Sequence, residues 1–216
     1  MPTVTAHDMK LGDILMTKTT GNLTHTIISI GSFFAGNFNT ANYVHPQIVC
    51  KVGPSKICES HGAGLTMDPP TTAATVFRLK GGAGKITPVF AKLCAERAAE
   101  VANELQGRQK PNEAFGSYAY GTALVSLITR PTVTESVTTK LKGIDEGTLQ
   151  ARFYCSMFVI VCYQVAMMRM ARAGFAPPAR LLPFQLDADA MEPAYMISYL
   201  RRNADFWTEL GEFTGG

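Results

Sequence analysis

The order of apolar and polar positions predicts strands in the first third of the chain and helices in the remainder. Short runs rich in β-branched residues, several with alternating polarity, predict strands at residues 11–16, 43–51, 56–60, 65–68 and 74–79. Apolar residues at helical spacing predict helices at residues 24–34, 87–106, 154–170 and 193–203, and a partly helical segment at 115–129. Strands that precede the helices, instead of alternating with them, indicate an α+β domain.

The longest apolar run, residues 154–170, is the strongest element of the pattern. It also contains Cys, Ser, Tyr and Gln, and it is shorter than the roughly 20 residues of a membrane-spanning helix. It therefore predicts a buried core helix and no stable membrane insertion. Polar residues 130–147 predict a surface excursion with a short helix. We expect residues 1–216 to form one domain.

Composition narrows the classes of function. Apolar residues make up 46% of the 216-residue chain and charged residues 17%, which is enough apolar material for a sizeable core and argues against disorder. The net charge of +3 is scattered, with no basic stripe, so we expect no nucleic-acid partner. The first ten residues lack a basic segment followed by an apolar one, which predicts no signal peptide and synthesis in the cytoplasm.

The cysteines do not form a recognisable framework. The chain has five of them, an odd number, and no C-x-x-C pair, which argues against a disulfide scaffold and against a structural zinc site. The histidines and carboxylates also lack metal-ligand spacing. We therefore expect reduced thiols, no metal and no cofactor.

Cys155 is the main candidate for chemistry because it opens the predicted helix at 154–170. The first turn of a helix has free backbone N–H groups and the positive end of the helix dipole. Both favour the thiolate, the reactive form of cysteine, and the same N–H groups can hold the oxyanion of an attacked carbonyl. The alternative is an inert core thiol, since free cysteine is among the most buried residue types.

A thiol nucleophile needs a base and usually an orienting partner. His45 lies within a predicted strand and shares one face of it with Gln47. Glu59 lies on the next strand, and antiparallel pairing can set it beside His45, where it would fix the imidazole tautomer. His61 competes with Glu59 for this role, although its neighbouring glycines indicate a turn. The alternatives are an ordinary sheet histidine and a solvated glutamate.

Five short motifs carry a resemblance to a known family. They are Leu11-Gly12-Asp13-Ile14-Leu15, Tyr43-Val44-His45-Pro46-Gln47-Ile48-Val49, Ile57-Cys58-Glu59-Ser60, Val76-Phe77-Arg78 and Phe153-Tyr154-Cys155-Ser156. In this order the chain resembles the circularly permuted papain-like hydrolases, relatives of NlpC-type cell-wall cysteine peptidases and of lecithin:retinol acyltransferase-like proteins. The resemblance extends from about residue 9 to about residue 190. It implies a permuted papain-like fold, with a small antiparallel sheet packed against helices and the nucleophile at a helix N-terminus.

Carried over by position, the resemblance makes Cys155 the nucleophile, His45 the base and Glu59 the orienting group. The chain departs from the usual histidine strand at Pro46 and Gln47, where the family has Val and Gly. Because proline removes a ladder hydrogen bond, this strand is expected to lie at a sheet edge or to carry a bulge.

The function implied by the resemblance is a cysteine amide hydrolase, a peptidoglycan endopeptidase or amidase. Without a signal peptide, such an enzyme would need a specialised secretion system, as antibacterial effectors of the type VI system do, to reach the periplasm of a target cell. Its partners would then include a secretion-apparatus component and an immunity protein. Two alternatives remain open: a lipid acyl hydrolase or acyltransferase with the same thiol chemistry, and a non-catalytic binding member of the fold.

Overall fold

The structure is a computed structural model that describes residues 2–18, 42–61, 64–81, 86–109, 135–149, 151–175, 184, 188 and 191–215. The predicted helix at 24–34 and the predicted segment at 115–129 lie outside these residues. Everything below concerns the part of the chain that the structure describes.

The described strands form one seven-stranded sheet. Its strands are β1 (Thr3–Val4), β2 (Ile14–Lys18), β3 (Tyr43–Lys51), β4 (Lys56–His61), β5 (Gly64–Asp68), β6 (Ala74–Leu79) and β7 (Trp207–Phe213). They are hydrogen-bonded in the order β1-β7-β6-β2-β3-β4-β5. The five predicted strands are β2 to β6, and they form the continuous antiparallel part of the sheet.

The resemblance implies a small antiparallel sheet, whereas this sheet has seven strands and is mixed, because β1 pairs parallel to β7. Neither strand is predicted by the sequence. In β7 only Trp207, Gly211 and Phe213 are buried, so the strand has no strict alternation that would mark it as one. The pairing with β6 also contains a register shift between Val76 and Phe77. The broader expectation of an α+β domain is confirmed.

Four helices occur among the described residues: α1 (Pro88–Arg108), α2 (Glu135–Glu146), α3 (Cys155–Arg172) and α4 (Pro193–Arg202). The start of α1 follows from its sequence, because the Thr87 hydroxyl accepts a hydrogen bond from the Phe90 N–H at 3.1 Å and Pro88 occupies the first turn. Helix α2 falls in the polar segment 130–147. Its Ile144 is fully buried, and its Asp145 pairs with Arg169 and Arg172 of α3.

Helix α3 is the centre of the core. Every residue from Cys155 to Met167 is buried, and the helix packs against α1 and against the β3 and β4 strands. An apolar helix buried on all sides is stable only inside a protein core or a membrane. No helix of the described residues is long and apolar enough to cross a membrane.

The strand that carries His45 is interior, between β2 and β4, so of the two expected alternatives for Pro46, an edge position or a bulge, the edge position does not occur. The expected bulge is present. Thr17 of β2 pairs with His45 and the next residue, Lys18, pairs with Tyr43, which leaves one extra residue in β3. Pro46 pairs with Met16 of β2, whereas β3 pairs with β4 only from Ile48 onward. The missing N–H of Pro46 is therefore tolerated at a place where one ladder is interrupted.

Candidate active site

Three elements bring the predicted residues together: His45 comes from β3, Glu59 from β4, and Cys155 is the first residue of α3. The Nε2 atom of His45 lies 2.6 Å from Oε2 of Glu59. Interaction with the Cys155 side chain raises the pKa of this imidazole, so the thiol lies beside the ring. Since Nε2 faces Glu59, the ring nitrogen left for Cys155 is Nδ1. The imidazole thus lies between a thiol and a carboxylate, while the catalytic roles of the three residues stay predictions.

Gln47 completes this cluster, and sequence analysis assigned it no role. Its Nε2 donates a hydrogen bond to Oε2 of Glu59 at 2.6 Å, the same oxygen that His45 contacts. Gln47 is two residues from His45 on β3, so both side chains leave the same face of the strand. That spacing was the available signal. The amide fixes the carboxylate from one side and leaves it aimed at the imidazole.

Charge in this cluster is arranged to keep the imidazole protonated. Burial lowers the pKa of His45, but its hydrogen bonds to Cys155 and Glu59 and their negative charges together raise the pKa to about 10. Burial also raises the pKa of Glu59, yet the bonds from His45 and Gln47 outweigh it and hold that pKa below its usual value. The arrangement favours a protonated imidazole between the Cys155 side chain and the Glu59 carboxylate.

The start of α3 presents backbone donors beside the sulfur. Tyr154 is the N-cap residue and makes no side-chain capping bond to the first turn. The N–H groups of that turn have no intrahelical partner, which makes them donors for an oxyanion. The Cys155 thiol points to the Val44 carbonyl oxygen at 3.8 Å and the residue is only 1% exposed. A substrate carbonyl can reach the sulfur only after the residues that cover it move.

Three side-chain hydrogen bonds fix the position of the α3 start. The Ser60 hydroxyl of β4 donates to the Phe153 carbonyl at 2.8 Å, and the Tyr154 hydroxyl donates to the Ala188 carbonyl at 2.8 Å. The Ser156 hydroxyl donates to the Met191 carbonyl. Cys155 is thus flanked by anchored neighbours on both sides. None of these bonds has a local sequence signal, because each joins residues at least 34 positions apart.

His61, the competing orienting residue, lies at the end of β4, where its Nε2 is 3.1 Å from the Thr66 hydroxyl of β5. Glu59 is the carboxylate in contact with the imidazole of His45, so the geometry favours Glu59 for the orienting role. The charge of His61 still lowers the pKa of Glu59.

Asp13, the acidic residue of the first motif, forms a buried ion pair with Arg78. It is 1% exposed, and its carboxylate accepts two hydrogen bonds from the Arg78 guanidinium, at 2.8 and 2.6 Å, and one from the Lys10 N–H. Together with Arg78 it lines a cleft of about 460 Å³ between β6 and the start of α1. This cleft contains none of the three candidate catalytic residues.

The described residues contain no group of three or more His, Cys, Asp or Glu side chains that could hold a metal ion. No protein-family model, no curated protein and no solved structure matches this chain. Evidence for a function therefore comes from the geometry of the site and from the sequence motifs that carry His45, Glu59 and Cys155.

Proposed function

We propose that this chain is a cysteine hydrolase in which Cys155 is the nucleophile, His45 the general acid and base, and Glu59 the orienting group. One observation supports this above the others: a single imidazole interacts with a thiol at a helix start and lies 2.6 Å from a carboxylate on the neighbouring strand. Such an arrangement has the parts and the order of a thiol hydrolase triad. A permuted papain-like fold belongs to the same proposal.

The reaction begins with the Cys155 proton on His45. The thiolate attacks the carbonyl carbon of an amide and forms a carbon–sulfur bond, while the carbonyl oxygen takes the negative charge. Imidazolium then gives its proton to the leaving nitrogen as the carbon–nitrogen bond breaks, which leaves a thioester on Cys155. Neutral His45 next removes a proton from water, hydroxide attacks the thioester, and the proton returns to the sulfur as the acid product leaves.

Each neighbouring group has a defined part in these steps. Backbone N–H groups in the first turn of α3 stabilise the oxyanion, since they have no competing side-chain cap from Tyr154. Glu59 holds Nε2 so that Nδ1 faces the sulfur, and it stabilises the imidazolium. Gln47 holds Glu59. The 1% exposure of Cys155 means that substrate binding is coupled to an opening at the sulfur.

The proposed substrate is a peptide amide of bacterial peptidoglycan, and the proposed setting is antibacterial delivery by a specialised secretion system. Both rest on the resemblance to cell-wall cysteine peptidases. A lipid ester would suit the same thiol chemistry. Ester substrates differ in their leaving group, which is an alcohol and not an amine.

The test is digestion of purified peptidoglycan sacculi, with mass analysis of the released fragments. The wild-type protein should release peptide fragments and Cys155→Ala should release none. Cys94→Ala is the matched control, since Cys94 is equally buried but lies on α1. Cleavage by Cys155→Ala would refute the thiol mechanism. If no fragments appear with either protein, release of fatty acid from phospholipid vesicles is measured next, and activity there would replace the amide by an ester. Inactivity in both assays would leave the non-catalytic binding role.

A further inference from the structure

Strands β3 and β4 carry a pair of thiols in addition to the Cys155 thiol of the candidate site. The sulfur atoms of Cys50 and Cys58 lie 2.7 Å apart. Non-bonded carbon atoms prefer a separation of about 3.5–4.0 Å and the larger sulfur atoms need at least as much, whereas a disulfide bond is about 2.05 Å long. The two side chains thus already point at each other, at a separation between contact and bond.

The strand register explains why these two residues meet. Cys58 pairs with Ile48, and Cys50 occupies the register shift between Val49 and Lys51. Without a bulge they would be diagonal neighbours on one face, with Cα atoms about 7–8 Å apart, which is too far for a disulfide. Both belong to the same buried cluster as Ile48, so both side chains face the helices. The bulge is the feature that brings their sulfur atoms within reach.

The local environment identifies this pair as a thiol cluster separate from Cys155. The Cys50 thiol and burial together raise the pKa of Cys58 far above its usual value. Cys162 of α3 is the third member, because its charge raises the pKa of Cys58 and the charge of Cys50 raises the pKa of Cys162. Cys50 is 3% exposed and Cys58 is fully buried, so an oxidant reaches them during folding or local opening of the hairpin.

We propose that Cys50 and Cys58 are a latent cross-strand disulfide that closes when the protein folds, or opens locally, in the presence of a small-molecule disulfide. One cysteine attacks the oxidant as a thiolate, forms a mixed disulfide and releases one small thiol. The second cysteine then attacks the protein sulfur of the mixed disulfide and releases the second small thiol. Two protein thiols lose their hydrogens and one small-molecule disulfide is reduced to two thiols, so atoms and electrons balance.

The bond would act on the strands that hold the candidate triad. Cys58 directly precedes Glu59 on β4, and Cys50 is the next-to-last residue of the strand that carries His45 and Gln47. A covalent link between the two strands restricts their separation in the unfolded chain and during local opening. This inference does not depend on the proposed hydrolase function, and it can hold or fail without it.

The experiment uses Cys155→Ala as background, which leaves Cys162 as the sole cysteine of the tryptic peptide 153–169. The reduced, denatured protein is refolded in mixtures of glutathione and glutathione disulfide. Free thiols are alkylated, and the trypsin digest is analysed by mass. Trypsin cleaves after Lys51 and Lys56, so the expected product is peptide 19–51 linked to peptide 57–78, with residues 52–56 released. Links from either peptide to 153–169 in equal or greater amount, or no link at any glutathione ratio, would overturn the proposal.

A second measurement compares melting temperatures of the oxidised and reduced forms of the same protein. Closing this short loop should raise Tm by roughly 5 °C or more. Cys58→Ser should abolish the difference, and Cys94→Ser, which alters a buried thiol of α1, should preserve it. An oxidised form that melts at or below the temperature of the reduced form would show that the native geometry rejects the bond, and would also overturn the proposal.

Discussion

The Ser60 hydroxyl donates a hydrogen bond to the Phe153 carbonyl at 2.8 Å, across 93 positions of sequence. Ser60 is the residue after Glu59 on β4, and Phe153 comes two residues before Cys155. This bond joins the strand of the orienting carboxylate to the segment that leads into the nucleophile helix. The relative position of Glu59 and Cys155 therefore depends on a buried hydroxyl outside the proposed triad.

Replacing this hydroxyl should affect both stability and catalysis. Ser60→Ala leaves the buried Phe153 carbonyl without its donor, and we expect a loss of about 1–3 kcal/mol in the free energy of unfolding. The start of α3 then loosens, so kcat/KM should fall as well. Ser55→Ala is the control, because its hydroxyl makes a 2.7 Å bond to the Ala6 carbonyl, which does not belong to the segments of the triad. Equal effects of both variants on kcat/KM would contradict the positioning role of Ser60.

Removing the charge of Glu59 should lower activity through His45. Glu59→Gln keeps the shape but loses the carboxylate that stabilises the imidazolium, and we expect kcat/KM to fall roughly 10²–10⁴-fold. Because Glu59 raises the pKa of His45, the alkaline limb of the kcat/KM profile should move to lower pH. A variant that loses activity with an unchanged pH profile would indicate a structural role only.

Gln47→Leu should give a weaker version of the same effect. The variant keeps a similar volume but removes the donor that holds Oε2 of Glu59. A net hydrogen bond of about 1.4 kcal/mol corresponds to a loss of about tenfold in kcat/KM. Gln47→Glu places a second carboxylate beside Glu59 and should be worse than Gln47→Leu, since like charges raise the pKa of both. Activity of Gln47→Glu above that of Gln47→Leu would argue against this account.

Stability should depend on pH through His45. Its folded-state pKa is raised from 6.5 to about 10, so the imidazolium stabilises the fold. This contribution is fully present below pH 6.5 and is lost as the pH rises from 6.5 to about 10, and it amounts to a few kcal/mol in order of magnitude. Glu59 has the opposite sign: its pKa is lowered from 4.5, so its contribution is present above pH 4.5 and disappears as the pH falls below that value.

Urea unfolding of wild-type protein and of His45→Gln, measured from pH 5.5 to pH 9.5, tests this dependence. The difference in free energy of unfolding between the two should shrink as the pH rises. His61→Gln serves as the control for loss of an imidazole on the adjacent strand. A constant difference between wild type and His45→Gln across the range would refute the raised pKa.

Arg78 should stabilise the fold through its ion pair with the buried Asp13 carboxylate. Arg78→Met leaves a carboxylate that is 1% exposed without its cation, and the expected loss is about 3–5 kcal/mol in the free energy of unfolding. Adding Asp13→Leu removes the uncompensated charge and should recover a substantial part of the loss. Differential scanning calorimetry of both variants provides the measurement. A double variant less stable than Arg78→Met would contradict the electrostatic explanation.

Much of the fold is predictable because its signals are local. Strands β2 to β6 consist of short runs of apolar and β-branched residues bounded by turns, and α1 and α3 have apolar spacing over many turns. Strands β1 and β7 are not predicted, because β1 has two residues and β7 lacks alternation. The interior position of β3 was also outside the reach of a local pattern, since Pro46 by itself favours an edge as much as a bulge.

For the candidate site, the sequence alone determined the identities of Cys155, His45 and Glu59 and the elements on which they lie. Thiol, imidazole and carboxylate are chemical facts of the chain, and a helix start or a strand position follows from neighbouring residues. Only the tertiary structure decided the contacts. The choice of Glu59 over His61 beside the imidazole, the amide of Gln47 on Glu59, and the approach of Cys50 to Cys58 depend on strand register and on two bulges. A one-residue shift of register turns each side chain to the other face of its strand, so such contacts are set by long-range packing.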